Sequence, residues 1–222
     1  MLRRTREAQR YGRASVLQGL AYLLWALLTG CENPTGDAPD QVPELADTTV
    51  NIAGLVLPDS TMVTRAASDL GDVSRVHGFL RKCATMETVV LGFVGGSITA
   101  GAGSSSTTMR FSSVLTEWLR QAFPETAFLE VNGGIGATNS RFGCSRLEPD
   151  VLSYGPDLVV VDFSVNDYGA DDFIGGPYEG IMRQCLSSPA QPGVIAIGFT
   201  NWLGGDPRVH EIHTAVAAQD AV

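Results

Sequence analysis

Lysine is almost absent from this sequence. Lys82 is the only one in 222 residues, and the formal net charge is −9. Neutralising a phosphate backbone needs clustered cations, so an acidic body of this kind is excluded as a nucleic-acid binder. The same scarcity excludes a P-loop: Gly92 to Gly103 is rich in glycine but holds no Gly-Lys-Ser/Thr. Only three histidines occur, His77, His210 and His213, and only four cysteines, Cys31, Cys83, Cys144 and Cys185. No two cysteines have C-x-x-C spacing and no histidine stands beside one, so no zinc site is expected and no other metal or cofactor is called for. In a secreted chain Cys144–Cys185 is the favoured disulfide. Buried free thiols are the competing expectation. Internal repeats are also lacking. No apolar run reaches the roughly 20 residues that cross a bilayer comfortably.

The cations that are present sit at one end. Arg3, Arg4, Arg6, Arg10 and Arg13 face Glu7 alone, a net of +4, so an overall charge of −9 leaves about −13 on the remainder. An apolar run from Val16 to Leu28 follows the arginines. Basic start then apolar run is the order of a secretory leader, so residues 1–31 are read as a signal peptide or signal anchor, the only expected link to a membrane. Leu28-Thr29-Gly30-Cys31 also resembles a bacterial lipoprotein box with Cys31 as the lipidated residue. The competing reading is an amphipathic or buried first helix. Residues 32–59 hold Pro34, Pro39, Pro43 and Pro58 among Asp, Gly and Thr, and are read as a disordered linker. Residues 60–87 are read as helices that pack on the domain, with Val76, Phe79 and Leu80 on one side of the second.

From Thr88 onward strands and helices alternate. Val89–Val94 reads as a buried strand. Arg110–Phe123 reads as a helix with Phe111, Val114, Leu115, Trp118 and Leu119 at helical spacing before Pro124. Thr126–Val131 is a second strand, Ser140–Ser153 a helix kinked at Pro149, and Asp157–Phe163 a third strand. A helix near Tyr178–Leu186, a fourth strand over Val194–Phe199 and a helix over Val209–Ala218 complete residues 88–222. Strands apolar throughout and separated by helices predict an α/β fold: a three-layer, flavodoxin-like parallel sheet covered on both faces.

Three strand ends finish in small or polar residues: Gly95-Gly96-Ser97, Asn132 to Thr138, and Ser164-Val165-Asn166-Asp167. In a parallel sheet these ends share one edge. Gly95 and Gly96 allow a sharp turn and close approach to a ligand, and Ser97 then offers a hydroxyl. Alone, Ser97 reads as a turn serine that satisfies backbone groups. Beside it, however, stand donors for a developing oxyanion: the N–H of Ser97, the N–H of Gly136 and the side-chain amide of Asn166. Rival motifs fit less well. A dinucleotide loop lacks Gly-x-Gly-x-x-Gly in register and an acid at the second strand's end. A hydrolase elbow of the Gly-x-Ser-x-Gly type needs glycine where Thr99 stands.

With these three blocks in order, the chain resembles the SGNH hydrolase superfamily, the GDSL-type esterases and lipases, and within it the branch whose first block reads Gly-Gly-Ser-Ile-Thr. The resemblance runs from about Val76 to the end. It implies Ser97 as nucleophile, Gly136 and Asn166 as oxyanion donors, Gly95 and Gly96 as supports, and Asp167 as the carboxylate that holds the loop around Asn166. It also implies hydrolysis of a small acyl ester or O-acetylated carbohydrate without a cofactor. Two departures stand out. Ser164 replaces the wider family's glycine, and the Asp-x-x-His block that supplies acid and base is not found before Val222. On that reading the domain is C-terminally incomplete. Asp206 with His210 or His213 is the local substitute, set against surface roles for all three and for His77. A catalytically inactive or truncated binding protein and an acyltransferase remain the alternatives.

Overall fold

The computed structural model describes residues 70–85, 87–199 and 206–219. They belong to one compact unit, Ser68–Val222. The leader, the linker, Cys31 and the first part of the 60–87 stretch lie outside the described residues. Among the described residues no helix is long and apolar enough to cross a membrane.

The chain runs α1 (Ser74–Cys83), β1 (Thr88–Gly95), a one-turn α2 (Ser97–Ala100), α3 (Phe111–Ala122), β2 (Ala127–Gly134), α4 (Ser140–Asp150), β3 (Leu158–Asp162), α5 (Asp171–Ser187), β4 (Gly193–Ala196) and α6 (Pro207–Gln219). The four strands are all parallel, in the order β2-β1-β3-β4. This is the doubly wound, flavodoxin-like arrangement, with its switch point at β1.

Strand β3 is buried at every position, from Leu158 to Asp162, as a central parallel strand must be. Phe93 and Val94 show how β1 feeds both faces. Phe93 meets Phe111 of α3 edge-on at 5.9 Å, and Phe111 in turn meets Phe199 at 5.4 Å. Val94 joins the opposite cluster, with Leu147 of α4, Ile181, Met182 and Cys185 of α5, and Val159, Val161 and Phe163. Helix α1 buries Val76, Phe79 and Leu80, the spacing expected of one helix face. The solitary Lys82 on that helix bonds Asp157 Oδ1 at 2.7 Å, while Asp157 Oδ2 accepts the N–H of Val90 at 2.9 Å. One carboxylate thus ties α1 to the first strand.

Several boundaries differ from the sequence-based expectation. Strand β2 is an edge, so Leu129 is half exposed rather than covered. On α3 the buried residues are Ser112, Leu115, Thr116 and Leu119, while Phe111, Val114 and Trp118 are half-buried. The two hydroxyls are buried because they find partners: Ser112 Oγ donates to Glu130 at 2.8 Å and Thr116 to the Ser112 carbonyl at 2.8 Å. Helix α5 begins at Asp171 and continues through Gly175-Gly176-Pro177. Burial of Ile174, Tyr178 and Ile181 on one side outweighs the poor local propensity. The expected Cys144–Cys185 disulfide does not form; Cys83, Cys144 and Cys185 are all free thiols. Cys144 lies over Gly180 and accepts a bond from Gln184 at 3.2 Å, while Cys185 points into the core, where burial pushes its thiol up to about 12.

Ile181 has no exposed surface and sits at the centre of the α4–α5 face. Truncating it to alanine is expected to cost about 2–5 kcal/mol, transfer and cavity effects together, read as a lower urea midpoint with an unchanged slope.

Candidate active site

The ends of β2, β1 and β3 stop level with one another. Gly95 pairs with Gly134 on one side and with Asp162 on the other. The chain after each end therefore starts from the same height on the carboxyl edge of the sheet. Ser97 opens α2 directly behind β1, and Gly101 ends that single turn in the left-handed region at φ 104°. A Cβ on Gly95 would strike the Thr99 hydroxyl and come 2.6 Å from the Asp162 carbonyl. On Gly96 it would lie 2.6 Å from Asn166 Oδ1 and 3.1 Å from the Thr138 carbonyl. These are approaches that only glycine permits.

Those contacts locate the expected site residues. Asn166 stands against Gly96, one residue from Ser97. A Cβ at Gly136 would sit 4.0 Å from that of Ser97, so the exposed Gly136 turn lies against the serine. Ser97, Gly136 and Asn166 are thus gathered around one point. Among the described residues no hydrogen bond takes up the Ser97 hydroxyl, the Gly136 N–H or the Asn166 side-chain amide. The serine hydroxyl, the Gly136 turn and the Asn166 side chain thus share one small stretch of the sheet edge.

Asp167 is buried behind Asn166. Its Oδ1 accepts the N–H of Ser140 at 2.8 Å, and its Oδ2 lies 2.8 Å from His213 Nε2. The surface role expected for His213 is therefore corrected: it is 5% exposed and stacks on Tyr178 at 3.6 Å. Its ring finds both an aromatic face and a carboxylate inside, so it has no reason to face water. The other local substitutes are not assembled. Asp206 is exposed and bonded to Arg208, and half-buried His210 packs over Gly198 behind β4. His77 is half-buried on α1. Among the described residues none of the three histidines bonds Ser97, and no group of His, Cys, Asp or Glu is arranged to hold a metal ion.

Three supports escaped the reading of the sequence. Asn132 donates to the Thr99 carbonyl and to Ser112 Oγ, each at 2.8 Å, so it ties α2 to α3. Arg146, buried on α4, donates to the carbonyls of Gly133 and Gly95 and pairs with Asp150 at 2.7 Å. Its guanidinium caps two strand ends at once. Asp162 lies under the site, accepting from Thr99 at 3.3 Å. Burial pushes its carboxyl up from the ordinary 3.8 to about 7, against the lowering effect of hydrogen bonds from Thr99 and Ser164 and with a small push from Asp167. A charged residue closing an otherwise apolar run, Leu158 to Asp162, was the one available signal for it. A lone arginine within a helix offers none.

Because Asp162 keeps its proton when folded and loses it when unfolded, stability falls as pH rises from about 4 to 7. Below that window both states are protonated and the effect vanishes. The Asp162→Asn variant removes the group, so its stability relative to wild type is expected to rise steadily across the same window in urea titrations at stepped pH. A flat difference would contradict the buried, proton-holding carboxyl.

The comparisons bear on the family and the fold. The model of the GDSL-like Lipase/Acylhydrolase family matches residues 93–221. The chain is 33% identical to a two-domain esterase (CEX) active on acetylated mannans and co-crystallised with mannopentaose, with a TM-score of 0.62 over 66% of this chain and 39% of that one. A second structure of that esterase gives 32% identity and 0.63 over 67% and 40%. A mutant of Axe2, an acetyl-xylooligosaccharide esterase from Geobacillus stearothermophilus, matches at 19% identity and a TM-score of 0.50 over 60% and 73%, a likeness of fold. The chain spans about two fifths of the length of the two-domain esterase. No curated protein matches it. With Gly95-Gly96-Ser97, Gly136 and Asn166 gathered at one sheet edge inside the matched segment, the chain belongs to the GDSL-like lipase/acylhydrolase family, the SGNH-type esterase fold.

Proposed function

We propose that this chain carries the site of an SGNH-type serine esterase that removes O-acetyl groups from carbohydrate. The observation that carries the reading is that the Asn166 side chain lies against Gly96 and the Gly136 turn against Ser97. Ser97 Oγ attacks the acetyl carbonyl as its proton passes to a base. The oxyanion is held by the N–H groups of Ser97 and Gly136 and by the Asn166 amide. Collapse breaks the ester C–O bond, and the sugar oxygen leaves with a proton. Water then attacks the acyl-Ser97 ester and acetate departs. No cofactor enters this sequence of steps.

Two features support a carbohydrate substrate. The 33% identical esterase acts on acetylated mannans. Tyr168, two residues beyond Asn166, is 76% exposed, and Phe173 is 58% exposed with the Arg141 guanidinium 5.0 Å above its ring. A flat, exposed ring such as that of Tyr168 suits stacking against a sugar. The arginine-led leader adds the proposal of an extracellular or membrane-anchored location, where such polymers are met. A second reading has its own observation. No described histidine touches Ser97, because His213 is engaged by Asp167, and this favours a protein that binds acylated carbohydrate without turning it over. Transfer of the acyl group to another alcohol uses the same residues and differs only in the acceptor.

Hydrolysis of p-nitrophenyl acetate decides between turnover and binding. The esterase reading expects Ser97→Ala to fall to background and Asn166→Ala to lose about 10²–10³ in kcat. Equal rates for wild type and Ser97→Ala would sink it, and calorimetric binding of an acetylated manno-oligosaccharide would then support the binding reading. Tyr168→Ala is expected to raise KM for that oligosaccharide by about 2–10-fold, the range of one aromatic contact, while leaving KM for p-nitrophenyl acetate unchanged.

A further inference from the structure

Asp167 joins the two segments that carry the outer oxyanion donors. It follows Asn166 directly in the chain. The N–H groups of Asn166 and Asp167 both donate to the Phe163 carbonyl at 3.0 Å, which fixes this turn from the strand side. From the other side, Asp167 Oδ1 accepts the N–H of Ser140 at 2.8 Å. Ser140 is the first residue of α4 and closes the turn that begins at Gly136. Within that turn Ala137 is held in the left-handed region at φ 58°, a costly setting for a residue with a Cβ. The turn therefore depends on its anchors, and the Ser140–Asp167 bond is one of them.

The second oxygen of Asp167 is buried, with the side chain 2% exposed, and its partner is His213 Nε2 at 2.8 Å. A carboxylate accepts, so the imidazole N–H donates. The ring is held almost parallel to Tyr178, at 5° and 3.6 Å between centres, and so presents that N–H in one direction. Without the donor, a buried carboxylate oxygen is left unpaired, which is costly enough for the carboxylate to turn toward any other donor or water and release Ser140.

We infer that His213 is a positioning residue for the oxyanion hole: by holding Asp167 it sets the spacing between the Gly136 turn and Asn166, an inference that rests on the esterase reading for its catalytic meaning. It links the last described helix, α6, to donors that precede it by 77 and 47 positions in the sequence. His213 does not touch the substrate's place and is not the base for Ser97.

The test is His213→Phe, which keeps a ring on Tyr178 and deletes the donor. Three nitrogen resonances are read by NMR: the Gly136 amide, the Ser140 amide and the Asn166 side-chain amide. All three are expected to shift, with Ser140 amide exchange at least about tenfold faster, since its bond is freed to open. Ile181→Val, a core change in the same cluster, is expected to move none of them. His213→Gln, which restores an N–H donor, is expected to bring them back toward wild type. In the p-nitrophenyl acetate assay, kcat is expected to fall by about 10–100-fold with KM within about twofold, as misplaced donors act on the transition state. A folded His213→Phe with unmoved resonances and unchanged Ser140 exchange overturns the inference. If that variant does not fold, Tyr178→Leu loosens the ring while keeping the imidazole. Shifts in the same resonances then support the inference, and their absence overturns it. Shifted resonances in a chain whose wild type hydrolyses nothing leave the positioning role standing and count against the esterase reading alone.

Discussion

The register at Gly95 is the constraint on which the rest of the site depends. Its neighbours across the ladder are Gly134 and Asp162, and its carbonyl accepts from both the Ile135 N–H at 3.1 Å and Arg146 at 3.2 Å. Three strands are thereby locked with their ends level. A slip of one residue on any of them would move its donor by about 3.3 Å, more than the length of a hydrogen bond. The same closeness forbids a side chain at Gly95 and Gly96. Glycines there are consequences of packing and also the reason the serine, the turn and the amide share one small space.

Beneath that space lie the buried acids, arginine and histidine of the described residues. Arg146, Asp162, Asp167 and His213 are all buried, and each is bound to a strand end, a turn or another member of the set. Among the described residues, the buried side-chain atoms left without a partner are Ser140 Oγ, Arg146 Nε and Asp162 Oδ1. All three belong to this same neighbourhood. An apolar filling would be easier to stabilise, but it would not tie these strand ends and turns to one another.

The family relationship and the geometry bear on different questions. The family match covers the end of β1, the other three strands, the three blocks and α6, and so establishes what kind of fold presents Ser97. The contacts around Ser97 place Asn166 against Gly96 and the Gly136 turn against the serine. The histidine closest in role to a base is committed elsewhere, to Asp167 and Tyr178. Turnover and binding therefore share every described residue and part only at proton removal from Ser97.

Local chemistry made much of this legible in the sequence. Apolar runs ending in Gly-Gly-Ser, Asn-Gly-Gly and Asn-Asp announce parallel strands and mark their carboxyl ends, because a strand's burial and a turn's need for small residues are both properties of short segments. Those signals mark β1, β2 and β3 and point to Ser97, Gly136 and Asn166 as candidates. Other features depend on partners distant in the chain. Ser112 and Thr116 are interior only because Glu130 on β2 receives Ser112. Helix α5 survives Gly175-Gly176-Pro177 because the cluster on its buried side pays for the weak turn. Cys144 and Cys185 stay apart because one faces Gly180 and the other the core. His213, isolated in the sequence and read as a surface residue, is buried because Asp167, 46 residues earlier, and Tyr178 receive it. The sequence by itself determined the alternation and the strand ends with their small and polar residues. Only the tertiary structure decided which buried polar groups hold them in place, since a hydrogen bond between distant residues leaves no trace in the local pattern of either.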